Sequence, residues 1–260
     1  MSKIHIPSLA PEVLFHIGPI AITNTLINAW LAIAIILVIG ILISRSVKLR
    51  PGKMQNFAEY TLELIFPYFD QVTGDRRMTL KFFPLVGGIF FFVLLSNWLG
   101  LMPGTGSITY GESFLFRPAA TDLNLTAAMA VVSVLFSHIV GIVTIGFFAH
   151  TGKFIQIKQL VKSLKKGPIA ILTAIIEFFI GLLEIISEVA KVLSLSLRLF
   201  GNVFVGEVLL TVIAALFAVL LPTPFMLLEV LVGLIQATVF AMLTLVYLTV
   251  ASAEPHGAEN

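Results

Sequence analysis

EIISEVAKVLSLSLRLFGNVFVGE, Glu184–Glu207, lies inside an apolar run from Ile169 to Leu221 that contains no proline. Yet Glu177, Glu184, Glu188, Lys191, Arg198 and Glu207 all fall in that run. Helical stepping at about 100° per residue brings Asn202 and Glu184 to about +40° from Arg198, and Lys191 to about +20°. Ser187 and Ser194 fall near about −20° and about −40°. One face therefore reads Glu-Ser-Lys-Ser-Arg-Asn, while Glu207 points about 180° away from Arg198. A charge at mid-bilayer costs roughly 2.5–3.5 kcal/mol, so such side chains within a span mark an ion path by default.

The rest of the chain supplies the bilayer. Of 260 residues, 58% are hydrophobic and 12% charged, against a charged fraction of about 25% in soluble proteins. Several apolar runs are long enough to cross a membrane as helices, and their continuity excludes the alternation of a β-barrel. The fold class is thus all-α integral membrane protein. With no cysteine, disulfide frameworks and thiolate metal sites are excluded.

Outward from the central run, the N-terminus (1–19) reads as a short external segment at a membrane surface. It lacks the pattern of a cleavable signal peptide. The first span covers about Ile20 to Ile43, and Arg45, Lys48, Arg50 and Lys53 follow it. Met54–Phe69 is too short and too polar to span and suits the interface plane. A second span runs from about Phe82 to Leu101, with Trp98 at interfacial depth and Pro103-Gly104 ending it. Ser107–Thr121 reads as a polar loop, and Leu123–Phe148 as a third span. His138, alone on that span, is expected to pack or make one hydrogen bond. His150, at a loop edge, is expected to be solvated.

Lys153, Lys158, Lys162, Lys165 and Lys166 follow, and Gly167-Pro168 opens the long helix. Seven of the 16 Lys and Arg lie between 45 and 81 and five between 153 and 166, with only Lys3 and Arg117 on the opposite side. The positive-inside rule then predicts an external N-terminus and both basic loops in the cytoplasm.

As one straight helix, Ile169–Leu221 would measure about 80 Å against a hydrocarbon core of about 30 Å. Either it turns near Ser187–Ser194 or it lies strongly tilted. That interval has no turn signal, so one tilted helix is expected, giving about five spans and a cytoplasmic C-terminus. Pro222-Thr223-Pro224 breaks the chain, and Phe225–Val250 forms the last span. There Glu229 and Gln236 share a face to within about 20°, with Tyr247 about 20° to the other side of Gln236. The whole reads as a single polytopic membrane domain over 1–260, its interfacial helix at 54–69 and its ion-path helix pair at 169–250.

LRLFGN at Leu197–Asn202, GE at Gly206-Glu207, IQATVFAMLTLVYL at Ile235–Leu248 and NWLGLMPG at Asn97–Gly104 resemble subunit a of F-type ATP synthase. The likeness extends over nearly the whole chain. It implies a proton-conducting stator subunit of bacterial type, in the plasma (inner) membrane, working beside a ring of c subunits and held by peripheral-stalk b subunits. Its essential arginine maps onto Arg198, and outer half-channel residues onto Asn202, Glu207, Glu229 and Gln236. Glu184, Ser187, Lys191 and Ser194 fall where the family's cytoplasmic exit lies. Some members carry histidine where this chain has Glu229.

An arginine is in effect always charged, so Arg198 is suited to hold a facing carboxylate ionised and to block leakage, but not to pass a proton on. The resemblance implies no cofactor, no nucleic acid, and no small-molecule substrate other than the coupling ion. No phosphate-binding loop, nucleophile triad or metal-ligand cluster is evident, so ATP chemistry belongs elsewhere in such a complex. Two rival readings are a small cation/proton antiporter, which should show repeats and broken helices, and a scaffold without an ion path, which the one-sided polar stripe opposes.

Overall fold

The computed structural model describes residues 8–102, 108–110, 113–152, 168–216 and 222–253. The first seven residues, the Pro103-Gly104 stop, the lysine-rich stretch at 153–166 and the acidic end of the tail therefore lie outside the described residues. The elements run β1 Val13–Ile17, β2 Ile20–Thr23, α1 Asn24–Ser46, α2 Lys53–Thr73 and α3 Arg76–Leu101. After these come β3 Thr109–Tyr110, β4 Ser113–Phe114, a 3₁₀ turn Ala119–Thr121, α4 Leu123–Ile145, α5 Phe147–Gly152, α6 Pro168–Leu216 and α7 Pro222–Ser252. Five of these helices are long and apolar enough to cross a membrane: α1, α3, α4, α6 from Phe178, and α7. The all-α class holds, and two small hairpins are added to it.

Several boundaries differ from the sequence reading. Ile20–Thr23 is not the start of the first span but a strand, paired antiparallel with β1 through a connection at Gly18-Pro19. Gly18 supplies the positive φ of 60° that closes it. Thr23 then caps α1, its hydroxyl accepting from Leu26 N at 3.3 Å, an arrangement worth about 1 kcal/mol. The second span starts at Arg76 rather than Phe82, because Asp75 caps α3 by accepting from Arg77 N at 3.1 Å. The third span ends at Ile145 rather than Phe148, where Gly146 takes φ 97°. Pro222 opens α7 instead of lying before it, as suits a residue with no N–H to lose in a first turn. The long run is one helix, α6, with no turn at Ser187–Ser194.

The chain groups into two compact units, Met1–Thr126 with Leu197–Leu245, and Ala127–Ser196 with Val246–Asn260. In the first, α2 is the amphipathic helix: Phe57, Tyr60 and Leu64 are exposed, while Phe66 and Phe69 are buried. Their rings lie 4.7 and 6.2 Å from that of Phe83 on α3. The α2–α3 corner is held by Gly74 in the left-handed region and by Arg76, which pairs with Asp70 at 2.9 Å and lies over the Phe66 ring. Several buried polar groups of this unit pair with one another, as a membrane interior favours. Asn28, fully buried, donates to the carbonyls of Ser96 (3.1 Å) and Arg117 (2.8 Å), and Thr25 donates to Asp122.

In the second unit the small residues of α4 face inward. Ala130, Ser133 and Ser137 are buried, while Val131, Val132, Leu135 and Ile139 are exposed. Apolar side chains exposed along a whole span are what lipid, not water, solvates.

Candidate ion-path residues

Within the first unit, α6 carries Asn202 and Glu207, and α7 carries Glu229 and Gln236. Asn202 Nδ2 donates to Gln236 Oε1 at 2.7 Å, an amide pair joining the two helices. One turn further along α6, Gly206 faces Glu229 of α7. A Cβ at 206 would collide with both carboxylate oxygens, so the bare glycine is what gives the carboxyl its place. Glu229 and Gln236 are both buried; their shared face, read from their spacing, is the face turned to α6. Gly206→Ala should therefore displace Glu229 and destabilise the helix pair by about 1–3 kcal/mol. The shorter Glu229→Asp should recover part of that loss, as thermal unfolding of the purified complex would reveal. Equal losses in the single and double variants would refute the cradle.

Glu207 leaves the α6–α7 seam and finds Arg117, 5% exposed, in the segment before the 3₁₀ turn. Arg117 Nε lies 2.9 and 3.0 Å from the two Glu207 oxygens. Its other nitrogens donate to the carbonyls of Ser8 (2.8 Å) and Ala10 (3.3 Å), tying the N-terminal segment to the same pair. The described part of 107–121 is thus not a plain polar loop. It delivers the cation that Glu207 needs on the side of α6 opposite Arg198. Arg198 itself, one turn before Asn202, is exposed on the surface of the chain.

The second unit holds a cluster that adds residues of α4, α5 and α7 to an i, i+3 pair on α6. Lys191 Nζ sits 2.6 Å from Glu188 Oε1 and 5.4 Å from the centroid of the Tyr247 ring. Glu188 Oε2 is 3.4 Å from His138 Nε2, and His138 Nδ1 is 3.1 Å from His150 Nε2. His138 makes the one hydrogen bond expected of it, to His150, and also approaches Glu188. The expectation for His150 is corrected: it is buried rather than solvated. The cause is Gly146: its turn folds α5 back so that His150 returns to α4. On α6, Glu184 is half-buried and Ser187 and Ser194 are exposed. Among the described residues no group of three His, Cys, Asp or Glu is arranged to hold a metal ion.

Residues 26–249 match the family model described as ATP synthase A chain. The chain belongs to the ATP synthase subunit a family. An ATP synthase subunit a of Moorella thermoacetica is 35% identical over 239 residues, 92% of this chain and 94% of its own length. ATP synthase subunit a 3 of Pelobacter propionicus is 37% identical over 250 residues, 95% and 94% of the two chains. Subunit a of Geobacter sulfurreducens is 37% identical over 227 residues, 87% and 86%. Members of this family are ion-translocating membrane-sector subunits, not themselves catalytic, and this chain is accordingly a multi-pass membrane component of the ATP synthase complex. Membership displaces both the antiporter and the scaffold readings.

Sequence reasoning passed over Arg117, Gly206, Glu188 and His150 as site residues. For Arg117 a signal existed: it is the only arginine outside the basic loops and the long helix, and Glu207 pointed away from every cation on its own helix.

Proposed function

We propose that this subunit conducts protons through two offset aqueous half-channels, to and from carboxylates on a c ring, with Arg198 keeping the two paths apart. The outer half-channel is lined by Asn202, Glu207, Glu229 and Gln236, and the cytoplasmic one by Glu184, Ser187, Lys191 and Ser194. The subunit sits in the bacterial inner membrane with its N-terminus outside and C-terminus inside, restrained by peripheral-stalk b subunits. α6, 49 residues and about 74 Å long, lies strongly tilted in a core of about 30 Å.

The observation that carries this reading is the seam Asn202–Gln236 and Gly206–Glu229, within one turn of helix from Arg198 on one side and ending beside Glu207 on the other. Two carboxyls and two amides gathered between apolar spans offer a proton a sequence of acceptors and donors. Arg198 adds a fixed charge that can favour the ionised form of a carboxylate brought opposite it, then lose it as the ring turns. Each elementary charge crossing about 100 mV releases about 2.3 kcal/mol to drive that turning.

Leu197, 53% exposed and next to Arg198, provides the test. Leu197→Cys should form a disulfide with a cysteine placed beside the ring carboxylate in the assembled complex, and the cross-link should stop rotation. Failure to cross-link under oxidation, with cysteines elsewhere on the ring linking instead, would remove the ring from this face. Glu229→Gln should slow proton flux or change its dependence on pH; an unaltered profile would take Glu229 out of the relay.

A further inference from the structure

In the second unit one imidazole stands between two proton-exchanging groups, with a different ring nitrogen turned to each. His138 Nε2 is 3.4 Å from Glu188 Oε2, and His138 Nδ1 is 3.1 Å from His150 Nε2. Four elements build this arrangement: α4 gives His138, α5 His150, α6 Glu188 and Lys191, and α7 Tyr247. Glu188 and His138 are mostly covered, with side-chain exposures of 16% and 25%, and His150 is buried. The packing is made for the second ring. A Cβ at Gly141 would lie 2.6 Å from His150 Cε1 and Nδ1 and 3.2 Å from the Ala251 carbonyl, so only glycine admits the imidazole there. Gly146, at φ 97°, turns the chain to bring that ring back. Lys191, 2.6 Å from Glu188 Oε1, fixes the carboxylate so that its other oxygen meets His138.

We propose that His138 is a proton-transfer residue, linking Glu188 on the long helix to His150 at the end of the chain segment that leads into the lysine-rich stretch. The inference rests on the proton-conducting function proposed above and names a route for its cytoplasmic side. Imidazole is suited to this step because it accepts at one nitrogen while donating at the other. On the way to the cytoplasm, a proton taken up by the Glu188 carboxylate is passed on: the Glu188 O–H bond breaks as a His138 Nε2–H bond forms. The proton on His138 Nδ1 passes to His150 Nε2, so one proton enters the ring and one leaves. His150, for a moment an imidazolium, loses that proton to water and so returns to its starting form, while the partly exposed His138 moves its remaining proton from Nε2 back to Nδ1 by exchange with water. Among the described residues, His138 faces Glu188 and His150, with Lys191 reached through Glu188 and Tyr247 through Lys191.

The test uses the whole ATP synthase in inverted vesicles, with proton flux measured across a range of pH and complex assembly quantified alongside. His138→Gln keeps a polar side chain of similar reach but cannot relay a proton; flux should fall at least about ten-fold, the lower side of what a positioned acid–base group contributes. His138→Ala should fall similarly and regain flux when free imidazole is added. His150→Gln should reproduce the defect if either His138 variant fails to assemble. Three results would overturn the relay: wild-type flux in the assembled variants, an equal reduction at every pH with no response to imidazole, or normal flux in His150→Gln. Arg198→Ala, run in parallel, separates the layers. If it too pumps normally, the underlying half-channel reading fails; if it is inactive while the His138 variants are normal, only this route does.

Discussion

Vesicles whose complex carries Arg198→Ala should show no ATP-driven proton pumping, while the complex still assembles with its ring. The expectation follows from where the guanidinium lies. Arg198 is exposed on α6, and the cation that secures Glu207 is Arg117, on the opposite side of the helix. Removing Arg198 leaves the Arg117–Glu207 pair and the Asn202–Gln236 amide pair, neither of which includes it, in place. What disappears is the fixed positive charge that, in the proposed mechanism, favours ionisation of an opposing carboxylate. Arg198→Lys is not a conservative control: an ammonium lacks the planar fork and can lose its proton when desolvated. It should pump poorly as well. Wild-type pumping in Arg198→Ala would remove the arginine from the coupling step. Loss of assembly in both variants would make it a structural residue instead.

The sequence carries the helical frame because apolar length is a local property. Every span could be found by counting residues against a 30 Å core of roughly that thickness, and the boundaries that moved did so at caps and turns. Thr23, Asp75 and Gly146 shift their helix ends by a few residues, since a single hydrogen bond or a positive φ outweighs hydropathy at a terminus. Helical periodicity also showed that Asn202, Glu229 and Gln236 belong to polar faces, and the seam between α6 and α7 unites them.

Partners distant in sequence are another matter. Arg117 and Glu207 are 90 residues apart, and nothing in the periodicity of α6 says which loop returns to meet Glu207. His138, His150 and Glu188 come from three elements whose contact depends on the turn at Gly146. Periodicity sorts the faces of one helix; it does not say which other helix lies against each face. Glycines at 141 and 206 look like ordinary small residues of a span until the side chain each one admits is in view.

Arg117→Ala should damage the complex more than any change to a single polar residue of the α6–α7 seam. The guanidinium is nearly enclosed, its side chain 6% exposed against 19% for Glu207, and it makes three separate attachments: to Glu207, to Ser8 and to Ala10. Deleting one partner of a buried ion pair costs about 3–5 kcal/mol, mostly because the other charge remains buried without compensation. That distinction gives the test its form. If the stranded carboxylate is the main cost, Arg117→Ala with Glu207→Gln should be more stable than Arg117→Ala alone, with a coupling energy of about 1–3 kcal/mol in thermal unfolding of the purified complex. Glu207→Gln alone should be the milder single change, because Arg117 keeps its two carbonyl acceptors. The double variant should nonetheless conduct poorly, since stability returns without the carboxyl that the proposed outer path uses. Additive losses would show that Arg117 acts by anchoring Ser8 and Ala10, with its charge on Glu207 secondary. Recovery of full proton flux in the double variant would take Glu207 out of the path and leave Glu229 as its outer carboxyl.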